Sequence, residues 1–468
     1  MVRSIGMPSA VRSCCFPQVS SVQGADRIPV ERCSISSWGR GPLSTSPEQH
    51  SIPCWWRDAV WAGYVSGKVL PYGNGRSYGD SCLNPGGTLL LTRGLDRFVS
   101  FDELSGTIDC EAGVLLSEII DLILPAGWFL PVTPGTRFVT VGGAIANDVH
   151  GKNHAMAGSF GEHVLDFDLL RSDGSTLRCS TNSNPDKFRA TIGGLGLTGV
   201  ILRARIRLRR VNGPGIEFET RRFGGLRDFF SLSQATQGSE YRVAWVDCLA
   251  RGAALGRGVY THGGHSTGEA TAVAPPRIRF SMPFVPPFSL VNRTSLRLFN
   301  SIYYHQAPVR PTWGVCHYRP FFYPLDGIAH WNRMYGPKGF LQYQCVVPKA
   351  GEEDALTEIL GRIVASGQGS FLGVLKQFGE RRVPGMMSFP RVGTTLALDF
   401  PFLGQSTLRL LDELDRVVMS AGGAVYPAKD ARMSPAMFAA SFPDVKSFAE
   451  HVDPAFSSGF WRRVMGQR

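Results

Sequence analysis

Acidic residues are scarce in this chain: 38 Asp and Glu stand against 49 Lys and Arg in 468 positions, a formal net charge of +11. Ten cysteines occur, but no C-x-x-C pair, so neither a zinc ribbon nor a thioredoxin-like redox site can be built from their spacing. Scattered thiols of this kind read as small buried hydrophobes in a reducing compartment, which points to the cytoplasm. Long apolar runs are missing too. The stretch 122–132 is interrupted by Pro125, Gly127 and Pro131, well short of the roughly 20 residues of a spanning helix. The first 25 residues hold Arg3, Arg12 and five Ser with no acid and no signal-peptide core. They read as a disordered tail or a mis-assigned start, with an organelle transit peptide as the alternative of similar composition. With 43% hydrophobic and 19% charged residues, wholesale disorder is excluded.

What is present is a succession of short strands. Residues 68–72 (KVLPY) read as a strand entering a Gly-rich loop, and further strands are expected at 88–91, 98–102 and 107–111. Residues 115–124 have helical periodicity stopped by Pro125 and Gly127. Residues 166–180 form a hairpin around Asp173-Gly174, and Asn184-Pro185 opens a short helix with Asn as its cap. The segment 202–209 (LRARIRLR) alternates apolar with basic residues, as a half-exposed strand does. From Asn212 the texture changes to longer, aromatic-rich segments, which sets a domain boundary near Val211. No acid occurs from 270 to 325, a span that holds Arg277, Arg279, Arg293, Arg297, Arg310 and Arg319. This span is either a basic, Pro-rich surface loop or a flap that meets a lipid-bearing or phosphate-bearing ligand.

Two Gly-rich loops carry the chemical signal: G-N-G-R-S-Y-G-D at 73–80, and P-G-T at 134–136 followed by V-T-V-G-G-A-I-A at 139–146. Such clusters let consecutive backbone N–H groups converge on a diphosphate. Gly194 to Gly199 matches G-x-G-x-x-G, but a helix precedes it and a strand follows, the reverse of the dinucleotide-binding fingerprint, so a nicotinamide site is rejected. His150 and His154 stand four apart with His163 beyond, yet Gly151 takes the place of a metalloprotease's Glu and a helix is doubtful there. A polar loop facing a cofactor or substrate is the more economical reading, and no metal is expected.

These residues carry a resemblance. The run from Gly73 to Ile201 resembles the PCMH-type FAD-binding domain of the vanillyl-alcohol oxidase / p-cresol methylhydroxylase superfamily. The match is strongest to its decaprenylphosphoryl-β-D-ribose 2′-oxidase family, through D-V-H-G-K-N-H at 148–154, G-S-F-G at 158–161 and G-L-T-G at 196–199. Later segments fit as well: G-F-L-Q-Y-Q at 339–344, F-L-G-V-L-K at 371–376, L-D-F-P at 398–401 and Y-P-A-K-D at 426–430. The resemblance implies an α+β fold. Residues 52–211 would form the FAD domain, 212–423 a substrate domain with an antiparallel sheet and flanking helices, and 424–468 a segment returning to the FAD domain, with 1–51 as a disordered N-terminal extension. It implies flavin contacts at Gly73, Asn74, Gly75, Arg76, Ser77, Tyr78, Gly79, Asp80 and Ser81, at Gly135, Thr140, Val141, Gly142 and Gly143, and at Asn147, Asp148, Val149, His150, Ile201 and Tyr426. FAD would be held non-covalently, because Tyr78-Gly79-Asp80 stands where many superfamily members carry the His of a covalent link.

The implied reaction is oxidation of a secondary hydroxyl of a polyprenyl-phospho-sugar to a ketone by hydride transfer to flavin N5. Lys429 would be the principal catalytic residue, with Tyr78 and His150 beside it, and Lys152, Gln344 and Lys376 would contact the substrate. A membrane quinone would suit as electron acceptor, and a short-chain reductase partner would complete an epimerisation. Ala397 and Thr395 replace the Cys and Asn of some members, so the substrate can be a relative of polyprenyl-phospho-ribose. A sugar-lactone oxidase is the enzymatic alternative, but that group ends in a His-Trp-x-Lys segment where this chain has Tyr-Pro-Ala-Lys. A nucleic-acid-binding protein would need basic residues clustered with stacking aromatics in a recognisable module, and none is found. The excess positive charge instead fits a phosphorylated lipid carrier at an anionic membrane, met by 270–325.

Overall fold

The computed structural model describes residues 31–33, 35–40, 49–54, 67–268, 280–381 and 383–466. Among them, two smaller sheets form the N-terminal part and an antiparallel sheet of eight strands, backed by helices, forms the middle, the α+β plan expected from the sequence. No described helix is long and apolar enough to cross a membrane.

In the first sheet the strands Glu31–Cys33, Gln49–Pro53, Thr88–Leu91 and Val69–Tyr72 lie side by side. Gln49–Pro53 and Val69–Tyr72 both run parallel to Thr88–Leu91, with His50 and Val69 both opposite Thr88. The extension expected up to residue 51 is therefore corrected for 31–33 and 49–51, which are strands. Glu31–Cys33 pairs with Gln49–Pro53, which in turn needs the distant Thr88–Leu91, so local sequence carried no sign of them. The remainder of 1–51 lies outside the described residues, apart from 35–40.

The second sheet is antiparallel, in the order Phe98–Asp102, Thr107–Glu111, Val200–Arg207, Val164–Leu170, Thr176–Ser180. The alternating basic strand works as its pattern predicts: Ala204 and Ile206 are fully buried, while Arg203 and Arg205 stand on the other face. There Arg203 meets Asp109 at 2.8 Å and Asp168 at 3.4 Å, and Arg205 meets Asp166 at 2.7 Å. Gly174, at φ +82°, makes the expected hairpin turn. Asn184 departs from expectation. It precedes the helix Pro185–Thr191 in a left-handed conformation, and its amide donates to the Arg178 carbonyl at 2.8 Å instead of capping.

The large sheet runs Thr312–His317, Gly215–Phe223, Gly258–His265, Tyr241–Val246, Gly373–Phe378, Gly393–Pro401, Phe340–Pro348, Ala424–Val425. Period-2 alternation divides its central strands into two chemically distinct faces. Leu341, Tyr343, Cys345 and Val347, with Leu396, Leu398 and Phe400, share one apolar core with residues of the helices Glu352–Ser366 and Gln405–Ser420. The opposite face carries Gln342, Gln344, Thr395, Ala397, Asp399 and Lys376, brought side by side by the pairings Gln342 with Asp399, Gln344 with Ala397 and Lys376 with Thr395.

Ala424–Val425 is the edge strand of this sheet, so the returning segment begins two residues inside the middle domain. The chain then crosses over: Phe456 bridges Val69, and Ser457 N donates to the Val69 carbonyl at 3.0 Å. The helix Gly459–Val464 is pinned by Arg463, which pairs with Asp80 at 2.7 Å and Asp430 at 3.2 Å.

Candidate active site

A cavity of about 890 Å³ lies between the N-terminal loops and the polar face of the large sheet. That is towards the upper end of the roughly 300–1,000 Å³ of small-molecule sites. Its N-terminal wall holds Gly73 to Tyr78, Ser81, Gly135, Thr140, Gly142, Gly143, Asn147, Val149, His150, Lys152 and Ile201; its sheet wall holds Gln342, Gln344, Lys376, Thr395 and Ala397, with Tyr426 and Lys429 beyond the edge strand.

Four of the residues expected at the flavin do not line it. Val141 is fully buried in the core behind the loop, in the helix Val141–Ala146. Gly79 is packed so closely that a Cβ would meet the Asp430 carbonyl oxygen at 1.7 Å, and Asp80 is turned to Arg463. Asp148, fully buried at φ +40°, accepts from Gly161 N at 2.9 Å and Ser388 Oγ at 2.5 Å, and burial raises its carboxyl to about 6. These four shape the loops from behind.

The loops approach each other closely. A Cβ on Gly73 would meet Thr140 Oγ1 at 2.4 Å, and Thr140 accepts from Gly143 N at 3.1 Å. Asn74 donates to the Phe138 carbonyl at 2.8 Å, and Tyr426 Oη donates to the Asn147 carbonyl at 2.7 Å. Polar atoms remain unpartnered on the cavity wall, among them Arg76 Nε and His150 Nδ1. A Gly-lined cleft with spare donors, continuous with an apolar chamber, fits a dinucleotide bearing a flat ring system.

At the far side of the loops, Lys429 Nζ lies 3.9 Å from the centre of the Tyr78 ring. The Pro427–Lys429 turn holds this lysine in place: Tyr78 N donates to the Ala428 carbonyl at 2.9 Å and Lys429 N to that of Tyr426 at 3.0 Å. Burial lowers the Lys429 ammonium below the ordinary lysine range; Asp399 opposes that shift and Lys376 adds to it. Asp399, fully buried, accepts from Gln342 Nε2 at 2.5 Å, and burial raises its carboxyl. Burial, with the Asp399 charge adding to it and Gln342 opposing it, raises the Tyr78 phenol far above its usual range, so it stays protonated. Burial and the adjacent Lys376 bring Lys152 down to about 7, and burial brings Lys376 to about 8. Lys152 donates to the Phe321 carbonyl, and Lys376 reaches that of Gly151 at 3.4 Å.

His150 is held among the rings of Phe378, Phe389 and Tyr426. Burial, then the charges of Lys376, His154 and Lys429, depress its pKa well below the ordinary value, so it is neutral. Thr395 Oγ1 donates to the Cys345 carbonyl at 2.8 Å and therefore accepts from Gln344 Nε2 at 3.3 Å. With the Gln344 amide nitrogen thus assigned, it donates also to His150 Nε2 at 2.9 Å, which leaves the ring proton on Nδ1. The three histidines of the loop do not converge: His154 accepts from Gly379 N, and His163 meets the Ala157 carbonyl.

Sequence reasoning missed Asp399 and Gln342 as members of the site, although both lie in segments it singled out. The usable signal was the two-residue register with Gln344 and Ala397. It also missed Trp38, whose ring lies 4.2 Å from the Arg76 guanidinium and whose N donates to the Ser77 carbonyl at 2.8 Å.

A family model described as an FAD binding domain matches residues 60–180. Decaprenylphosphoryl-beta-D-ribose oxidase of Mycolicibacterium smegmatis (strain ATCC 700084 / mc(2)155) is 35% identical over 463 residues, covering 93% of this chain and 98% of that protein. The chain belongs to the decaprenylphosphoryl-β-D-ribose oxidase-like family of PCMH-type FAD-binding flavoproteins. It is thus an FAD-dependent oxidoreductase of the vanillyl-alcohol oxidase superfamily. An uncharacterized protein of Streptomyces coelicolor is 37% identical over 372 residues, 75% of this chain and all of that protein. L-Gulonolactone oxidase of Mus musculus is 32% identical, but only over 137 residues, 29% of this chain and 30% of that enzyme.

Proposed function

We propose that this flavoprotein oxidises a secondary hydroxyl of a phosphorylated, polyprenyl-linked sugar to a ketone. The observation that carries the reading is the grouping of Lys429, Tyr78, Gln342 and Asp399 at one end of a cavity that Lys376 and Lys152 also line. Non-covalently bound FAD supplies the hydride acceptor, its N5. Gly73 to Ser77, Ser81, Gly135, Thr140, Gly142, Gly143, Asn147, Val149, His150, Ile201 and Tyr426 are the residues that would hold it.

Lys429 acts on the substrate hydroxyl. With its pKa lowered, Nζ can accept the hydroxyl proton or, when charged, stabilise the alkoxide. Asp399 sets that balance by favouring the protonated amine, and Gln342 fixes the carboxylate. His150 is a packing and hydrogen-bonding residue in this scheme, since a ring held neutral offers Nδ1–H and has its Nε2 lone pair engaged by Gln344. Lys376 and Lys152 supply positive charge for the phosphodiester, and Gln344 a polar contact to the ring hydroxyls. A quinone serves as electron acceptor, and a short-chain reductase completes an epimerisation.

The full-length identity to the mycolicibacterial oxidase, against the short match to the lactone oxidase, favours the lipid-linked sugar. The test is anaerobic mixing of the holoenzyme with polyprenyl-phospho-ribose while following flavin absorbance, then acid precipitation. Bleaching, with flavin released to the supernatant, is expected. An unbleached flavin would remove this substrate, and colour retained in the pellet would show a covalent link.

A further inference from the structure

Part of the acid-free span, residues 280–306, is described, and it is a surface of unusual composition; Arg277 and Arg279 lie outside the described residues. Phe280, Phe284 and Phe288 are 70%, 65% and 68% exposed. Next to them the helix Arg293–Gln306 is amphipathic in the wrong sense for a protein–water boundary. It buries Leu296 and Asn300, the latter donating to Asp247 Oδ1 at 2.9 Å, and turns Leu298 and Ile302, one turn apart, outwards at 62% and 47% exposure. Isolated exposed apolar residues need no explanation, whereas a run of this length on one element marks an interaction face.

Both segments pack on the outer wall of the cavity. Phe280–Ser281 pairs with Ile328–Ala329, and Leu296 joins a cluster with Trp331 and Tyr335; Ile328, Ala329 and Trp331 line the cavity. The helix also supplies a direct connection. Tyr303 lines the cavity and stacks on the exposed Phe299 at 5.8 Å. An apolar path therefore runs from the chamber to the exposed face.

The charged residues of 280–306 are all basic. Arg293 and Arg297 flank the apolar residues, no acid lies between 270 and 325, and neither arginine forms an ion pair among the described residues. Exposed aromatic and aliphatic side chains bordered by unpaired arginines match the headgroup and acyl boundary of an anionic bilayer. A partner protein of ordinary composition would place carboxylates against the arginines but would not account for the apolar path into the chamber.

We propose that the face formed by residues 280–290 and the outward side of the helix Arg293–Gln306 docks on an anionic lipid surface, so that the cavity mouth opens towards the bilayer. The proposal deepens the reading above and rests on it for the lipid-linked substrate, while the docking face is argued from exposure, charge and the apolar path.

The test is sedimentation of the FAD-loaded, full-length protein with phosphatidylcholine vesicles containing about 30% phosphatidylglycerol, compared with phosphatidylcholine alone. The protein is expected to sediment with the anionic vesicles. Combined F284S, F288S, L298S and I302S, and separately R293E with R297E, should each weaken this by about tenfold or more, with flavin absorbance unchanged. An R227E control, on the helix Leu226–Ala235, should bind as the parent does. No binding by the parent, or equal binding by all variants, would overturn the proposal. Concentration-dependent dimerisation abolished by the serine substitutions without vesicle binding would also overturn it and assign the face to a second copy. Vesicle binding is read without substrate, and flavin bleaching in detergent without vesicles, so either reading can fail alone.

Discussion

The strand Val200–Arg207 and the sheet face that lines the cavity both carry basic side chains, but their surroundings differ. On the strand two arginines point across the sheet at carboxylates: Arg203 at Asp109 and Asp168, Arg205 at Asp166. Of the three cavity lysines only Lys429 feels a nearby carboxylate, that of Asp399, while Lys152 and Lys376 meet only carbonyl oxygens as polar partners among the described residues. Basic residues with their counter-ions built in hold the fold together. Those left without counter-ions in a low-dielectric chamber are available to an anion and have lowered pKa values. Net charge alone does not separate the two cases; pairing does.

The contrast is sharpened most by removing Lys429. Lys429→Met, with FAD bound, should slow flavin reduction by about 10²–10⁴-fold, as expected for loss of a positioned acid–base group. Next in size is Arg203→Met. Removing the partner of Asp109 and Asp168 should cost about 2–4 kcal/mol in denaturant unfolding, with the rate per folded molecule unchanged. An unchanged rate without the lysine, or a rate loss from the arginine, would break the distinction.

Lys376→Met should raise KM for a phosphodiester substrate about tenfold with a smaller change in kcat, the loss of one charged contact. It also has a pH signature. Burial holds Lys376 near 8 in the folded protein, against 10.5 for a free lysine. Between those values the unfolded chain keeps a proton that the folded one has released, so stability rises with pH across the window and the penalty is fully present below it. Unfolding of the apoprotein followed from pH 7 to 10.5 should show a shallower rise in the Lys376→Met variant.

Much of the fold could be read locally. The strands Thr88–Leu91, Phe98–Asp102 and Thr107–Glu111 are bounded by their own turn residues and alternation, as is the hairpin at Gly174. Features that depend on distant pairing could not. Gln49–Pro53 takes its place as a strand beside Thr88–Leu91, and Asn184 gives up its capping role to the Arg178 carbonyl in the strand Thr176–Ser180. The Gly-rich loops announced a cradle, but not which residues face it. Asp80 turns away because Arg463, at the other end of the chain, takes its carboxylate. Asp399 required the register of two strands to be known before it could be placed with Gln342.

The most direct test of the claim that unpaired cavity lysines read an anion compares two substrates in the same holoenzyme. Polyprenyl-phospho-ribose and an uncharged polyprenyl riboside are mixed anaerobically with the oxidised protein at equal concentration, and the rate of flavin bleaching is recorded. Rapid bleaching by the phosphodiester and at least about tenfold slower bleaching by the neutral compound are predicted. Equal rates would contradict the account.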